Sequence, residues 1–183
     1  MQRWPLLLSL LLLIWFALSG PALADTYDMI DPRLQKSSKP MTFQLEFGGA
    51  FGLFNLPSQF KLSEVFTIHL MGKHDGFFVG LQADQSVSPG QFILQVRPLA
   101  GYAIRLIDKL ALFLVPQLQA GFSLSIDNVG PQMFFNLQAA LEVQLILDDR
   151  WIFSFKPLVM DLSFGSVQVM GRIDLLFGAG FKF

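Results

Sequence analysis

The 183-residue chain contains no cysteine. That excludes a disulfide framework, a thiolate metal site and a cysteine-linked lipid anchor. Charge is also scarce. Asp, Glu, Lys and Arg together make 15% of the residues, and the formal net charge is −1. There is no basic stripe and no charge run, so nucleic acid is excluded as a partner. The histidines are His69 and His74, with no ligand cluster around either. A metal centre of the usual imidazole and carboxylate kind, or a bound cofactor, is therefore not expected. Beyond the N-terminal region no apolar run approaches the roughly 18 residues of a spanning helix. Yet 52% of the residues are hydrophobic, which is high for a soluble domain. A transmembrane barrel reconciles these facts, because only alternate residues of each strand face lipid.

The N-terminal run itself reads as a secretory signal peptide. Arg3 supplies the positive start, Leu6 to Leu18 the apolar stretch, and Gly20-Pro21 the break. Ala22-Leu23-Ala24 is a small-x-small cleavage site. The apolar run is short for an uncleaved spanning anchor of about 20 residues. Residues 1–24 are thus assigned to the signal peptide and 25–40, polar and aperiodic, to a periplasmic lead-in. The barrel is expected over 41–183.

From Met41 onward the chain alternates apolar and polar residues in eight segments. The expected strands are Met41–Leu53, Glu64–Met71, Phe77–Gln85, Phe92–Arg105, Ala111–Ser125 and Gln132–Leu147, then one from Trp151 and a last one over Val167–Phe183. The seventh loses its phase near Leu158 to Leu162, which suggests a bulge. In the last, Val169, Ile173, Leu175, Phe177, Phe181 and Phe183 alternate with Arg172, Asp174, Gly178, Gly180 and Lys182. Outer loops are expected near Asn55–Leu62, Ser86–Gln91, Ser125–Pro131 and Asp161–Ser166. Pro98, Pro116 and Pro157 fall inside strands and suggest local bulges, since proline removes a ladder hydrogen bond.

The polar phase is rich in Gly, Ala, Gln and Ser and poor in Lys and Glu, unlike a solvated surface. Small residues suit the cramped interior of an eight-stranded barrel. Aromatics on the apolar phase gather at the strand ends. Phe43, Phe77, Tyr102, Trp151, Phe153, Phe181 and Phe183 would form one belt, and Phe51, Phe66, Phe92, Phe122 and Phe135 the other. The apolar phase is therefore assigned to lipid. A soluble lipid-binding barrel would need the faces reversed.

Charges on the inward phase are Glu46, Asp84, Arg97, Arg105, Glu142, Lys156, Arg172, Asp174 and Lys182. Buried charges must be paired, so Glu46, Asp84, Arg97, Glu142, Lys156, Arg172 and Asp174 are expected to form an interior polar network. Glu142, Lys156 and Asp174 or Arg172 would meet across neighbouring strands. An eight-stranded barrel has little room for a continuous channel. A plug is favoured over a gated ion path. For catalysis a nucleophile and base must lie in hydrogen-bond reach; Ser63 and Thr67 share the phase of His69 but have no evident acid partner. No catalytic residue is assigned.

Val96-Arg97-Pro98-Leu99-Ala100-Gly101-Tyr102 and Val115-Pro116-Gln117-Leu118-Gln119-Ala120-Gly121-Phe122 resemble the Pro-x-x-x-Gly-aromatic strands of small outer-membrane β-barrel proteins, a group that includes OmpA-like and OmpX-like barrels. The terminal Phe177-Gly178-Ala179-Gly180-Phe181-Lys182-Phe183 extends the resemblance over nearly the whole chain after residue 24. It implies an eight-stranded antiparallel up-and-down transmembrane barrel in a bacterial outer membrane, with both termini periplasmic. Outer-membrane lipid would surround it, and the barrel assembly machinery would read Phe177, Phe181 and Phe183. A monomer with a structural or surface-interaction role is expected. The rival readings are a narrow passive pore and a lipid-modifying enzyme using His69.

Overall fold

The computed structural model describes residues 39–54, 56–70, 74–107, 111–165 and 169–183. The expected signal peptide, nearly all of the lead-in, Met71 and the start of the last segment at Val167 lie outside them. Eight strands form one closed antiparallel barrel in sequence order. They are β1 (Met41–Phe54), β2 (Gln59–His69), β3 (Gly76–Ser88), β4 (Gln91–Ile107), β5 (Leu112–Asp127), β6 (Gly130–Leu147), β7 (Trp151–Phe164) and β8 (Val169–Lys182). Closure leaves no strand edge unpaired, as a structure surrounded by lipid requires. At the β1–β8 seam, the Met41 amide bonds the Phe183 carbonyl at 3.2 Å and the Phe183 amide returns to Met41 at 3.0 Å.

Following paired residues around the wall gives the shear. The row runs Thr42, Thr67, Gly80, Leu99, Gln119, Gln138, Asp161 and Arg172, and returns to β1 at Gly52. That is ten residues beyond Thr42, so the strands tilt by roughly 40° to the axis. The row climbs from the end that holds Met41 and Phe183, the termini end, toward the opposite, distal end.

Local chemistry makes the turns. Asp148 and Asp149 both have positive φ, 53° and 48°, and the Arg150 amide bonds the Leu147 carbonyl at 3.0 Å. Two left-handed central residues give the type I′ twist that matches a hairpin. Gly90, at φ 80° after Pro89, supplies the left-handed position of a type II turn. The Asp127 carboxylate accepts the Val129 and Gly130 amides at 2.8 and 3.2 Å, an Asx turn.

The two faces are as the alternation assigns them. Phe47, Phe51, Leu118, Phe122 and Met133 project outward and are more than half exposed, Leu118 by 70%. Gln82, Arg97, Asn136 and Lys156 point inward at 0% exposure. A soluble barrel would need the opposite arrangement.

Three details correct the sequence reading. The distal loops are shorter than expected: β2 begins at Gln59 rather than Glu64, β3 continues to Ser88, and β7 reaches Phe164. The β2 and β3 extensions keep the alternation of their strands, and that of β7 keeps the phase set after its bulge. Pro98 and Pro116 produce no bulge. They pair with Leu81 on β3 and Leu141 on β6, and the β4–β5 ladder passes them in unchanged register. Each leaves its missing N–H on that one seam. Pro157 does sit in a bulge, with the β7–β8 register shifting between Lys156 and Val159. Finally, Phe66 belongs to the termini-end aromatics, pairing with Phe43 and lying 6.3 Å from the Phe183 ring.

Candidate functional site

The site is the barrel interior, which is layered along the axis. Inward positions repeat every second residue, so long polar side chains from all sides meet over the lumen. Gly121 and Gly178 make room at the wall. A Cβ on Gly121 would stand 2.8 Å from Cα and Cγ of Arg97, and one on Gly178 would stand 2.9 Å from Cγ of Glu46.

The distal layer is a closed ring of six alternating charges. Arg97 pairs with Asp84, and Asp84 with Lys61 at 2.9 Å. Lys61 pairs with Asp174 at 2.7 Å, and Asp174 with Arg172 at 3.3 Å. Arg172 reaches Asp161 at 2.7 Å, and Asp161 returns to Arg97 at 2.7 Å. No side chain in the ring exceeds 3% exposure. Three cations face three carboxylates, so the ring is formally neutral. Glutamines extend it: Gln82 donates to Asp84 at 2.7 Å, Gln119 to Gln82 at 2.8 Å and Gln95 to Asp161 at 3.3 Å. The Arg97–Asp161 contact joins β4 to β7 and crosses the lumen.

The middle layer is a triad. Lys156 Nζ lies 2.7 and 2.9 Å from the two Glu46 oxygens and 3.7 Å from Glu142. Gln117 and Gln144 donate to Glu142, the latter at 2.7 Å. The termini-end layer is different in kind. Val65, Phe78, Leu99, Ala103, Phe113, Val115, Ile146 and Ile152 form an apolar cluster inside the barrel. His74, in the turn after β2, folds into this mouth. Its Nε2–H donates to Gln144 Oε1 at 2.7 Å. Its ring centroid is 4.4 Å from that of His69 and 4.7 Å from that of Phe113. Burial, reinforced by the His69 ring, holds the His74 imidazole well below its usual value, at about 3.

All seven residues assigned to the interior network are buried. They divide between two layers. Asp84, Arg97, Arg172 and Asp174 enter the ring, whereas Glu46, Glu142 and Lys156 form the triad. Asp174 and Arg172 therefore do not meet Lys156. Two members of the ring escape the sequence reading. Lys61 falls within the expected loop because the expected β2 starts at Glu64, five residues after the strand begins at Gln59. Asp161 falls within the expected outer loop because the bulge after Lys156 reverses the inward phase. The continued alternation Phe60-Lys61-Leu62-Ser63 carried the signal for the first. Arg105 is not interior: it lies at the rim, 3.7 Å from Asp75. Lys182 is buried and pairs with Asp149.

The arrangement offers little for chemistry. Ser63 and His69 lie six positions apart on one strand face, about 20 Å, and Thr67 is engaged with Thr42 at 2.5 Å. Among the described residues no group of three or more His, Cys, Asp or Glu could hold a metal ion.

No protein-family model matches the chain, and no curated protein matches it in sequence. Among solved structures it is similar to Neisserial surface protein A, with a TM-score of 0.57 and 8% identity over 78% of this chain and 96% of that one. The N-terminal β-barrel domain of Pseudomonas aeruginosa OprF aligns with a TM-score of 0.47 and 13% identity, over 78% of this chain and 97% of that one. Ail, the attachment invasion locus protein of Yersinia pestis, aligns with a TM-score of 0.41 and 13% identity, over 78% and 96%. The closed wall, the shared topology with the first of these and the inside-out distribution of polarity agree: this chain has the fold of the small eight-stranded outer-membrane β-barrels.

Proposed function

We propose that the protein resides in a bacterial outer membrane, where it has a structural, non-enzymatic role and its lumen is sealed. The carrying observation is the closed ring of six buried charges spanning the lumen. A conducting pathway would have to break ion pairs in a site of low dielectric, where an abandoned charge costs several kcal/mol. The triad and the apolar layer add two further obstructions on the same axis. The termini end faces the periplasm, and the distal turns face out.

Phe177, Phe181 and Phe183 supply the strand that the barrel assembly machinery engages. Phe183 closes the β1–β8 seam through both of its backbone groups. Replacing Phe183 by Ser is expected to lower the amount of assembled barrel, and undiminished assembly would remove this assignment. The residence itself is tested by fractionation combined with gel mobility before and after heating. Recovery in the outer-membrane fraction, as a band that shifts on heating, is the expected result. A soluble periplasmic protein with no such shift would overturn the reading.

A further inference from the structure

Among the described residues, His69 and His74 turn into the lumen without belonging to the ring or the triad. His69 ends β2 and His74 stands in the turn after it. Both are buried, at 4% and 5% exposure. Their ring centroids are 4.4 Å apart, with the planes tilted by 34°. Phe78 lies 5.2 Å from the His69 ring and Phe113 4.7 Å from the His74 ring. In such an apolar setting a ring nitrogen without a partner is costly.

The hydrogen bonds fix the tautomers. Gln144 donates its amide to Glu142, so its oxygen faces His74 and accepts. His74 Nε2 therefore carries the proton, and Nδ1 keeps a lone pair. His69 bonds the backbone carbonyl of His74. Its Nδ1 is buried and has no hydrogen-bond partner, and the same is true of His74 Nδ1. The His69 bond thus uses Nε2–H, and a second lone pair is left at Nδ1. Histidines that hold a metal ion are arranged in this way: one nitrogen donates to an oxygen that orients the ring, and the other presents its lone pair.

We propose that His69 and His74 bind one Cu2+ ion through their Nδ1 atoms at the termini-end mouth, with water completing the coordination. Imidazole suits copper, nickel and zinc, and geometry separates them. With metal–nitrogen bonds of about 2.0 Å, an ion held by both Nδ1 atoms lies about 3.2 Å from each ring centre. Centres 4.4 Å apart then set a nitrogen–metal–nitrogen angle of about 90°. That is the cis angle of a tetragonal ion, Cu2+ or Ni2+, and Cu2+ is the more strongly bound of the two. A tetrahedral zinc ion would spread the ring centres to about 5.2 Å. The charged groups at this mouth are of both signs and paired, Asp75 with Arg105 and Asp149 with Lys182. The two uncharged imidazoles thus face no net positive charge. Neither histidine has a ligand neighbour in the sequence; the turn after β2 brings the two rings together. The site depends on the fold and holds whichever compartment the termini end faces.

The test uses the chain without an affinity tag, folded into lipid vesicles, with heat-dependent gel mobility reporting folding first. It is then titrated with copper(II) chloride. The expected result is one Cu2+ per folded barrel, with a tetragonal electron paramagnetic resonance spectrum whose fine splitting counts two nitrogens. His69→Phe and His74→Phe should each weaken binding by roughly tenfold or more while the heat shift remains. An equal concentration of Zn2+ should not displace the copper. A folded wild type that binds no Cu2+ overturns the site. So does a spectrum with a single nitrogen, binding indifferent to both variants, or displacement by equal Zn2+. If a variant fails to fold, the nitrogen count of the wild type decides alone. A chain recovered as a soluble folded protein would overturn the membrane reading, and the same titration would still test the copper site.

Discussion

Lys156 shows most clearly how a single side chain carries the interior. It contacts both Glu46 oxygens and approaches Glu142. Lys156→Met leaves two buried carboxylates without their cation. The expected loss is about 3–5 kcal/mol, read from urea titrations of folding in vesicles. Double-mutant cycles should rank the partners by distance, with Lys156–Glu46 at 2.7 Å coupled more strongly than Lys156–Glu142 at 3.7 Å. Equal or inverted couplings would contradict the triad. His74 gives a pH dependence of known sign. Its folded value, about 3, lies below the ordinary 6.5. The unfolded chain thus takes up a proton first as pH falls below 6.5, and stability declines from there down toward pH 3. The slope has a ceiling of about 1.4 kcal/mol per pH unit. The charged and titratable groups near the ring are His69, Asp75, Asp149 and Lys182. Stability measured from pH 7 to pH 4 should fall less steeply in His74→Phe than in the wild type, and parallel profiles would sink the assignment.

At the scale of the strand, alternation decides everything, and β6 offers the cleanest test of which face is which. Leu141 points outward at 36% exposure, while Gln138 points inward at 3% and pairs in register with Asp161. Leu141→Arg should cost on the order of 2–4 kcal/mol in vesicle folding. Gln138→Arg should cost less, because its new charge lies beside the Asp161 carboxylate. The reverse order would mean that the faces are inverted. The same alternation explains what was legible before the structure. Strand number, both faces and most interior charges follow from period-2 patterning, because each strand has one face outward and one toward the lumen. Lys61 and Asp161 were not legible for two physical reasons. Loop-like Asn55, Pro57 and Ser58 hide the start of β2, and one extra residue at the Pro157 bulge reverses the phase of β7. The inward Phe113 and Ile146 were hidden too, since an apolar residue on the polar phase gives a period-2 reading no sign of its direction. The closed ring needed cross-lumen geometry, which no pattern within a strand contains.

On the scale of the whole molecule, three layers close one lumen: a neutral ring of six charges, a triad of two carboxylates and one ammonium, and an apolar layer under His74. Among the described strand residues, the outward side chains are apolar apart from Glu64, Gln85 and Tyr102. On the proposed outer-membrane reading, these layers would make the barrel a pillar, stabilised inside by ion pairs and outside by lipid. A pillar and a pore share the same wall and differ only in the lumen. The decisive measurement is single-channel recording of the folded wild-type protein in planar bilayers, with insertion established by the heat-shifted band. The account predicts no stable conductance steps across a range of voltages and salt concentrations. Reproducible, long-lived channels from the wild-type barrel would contradict it.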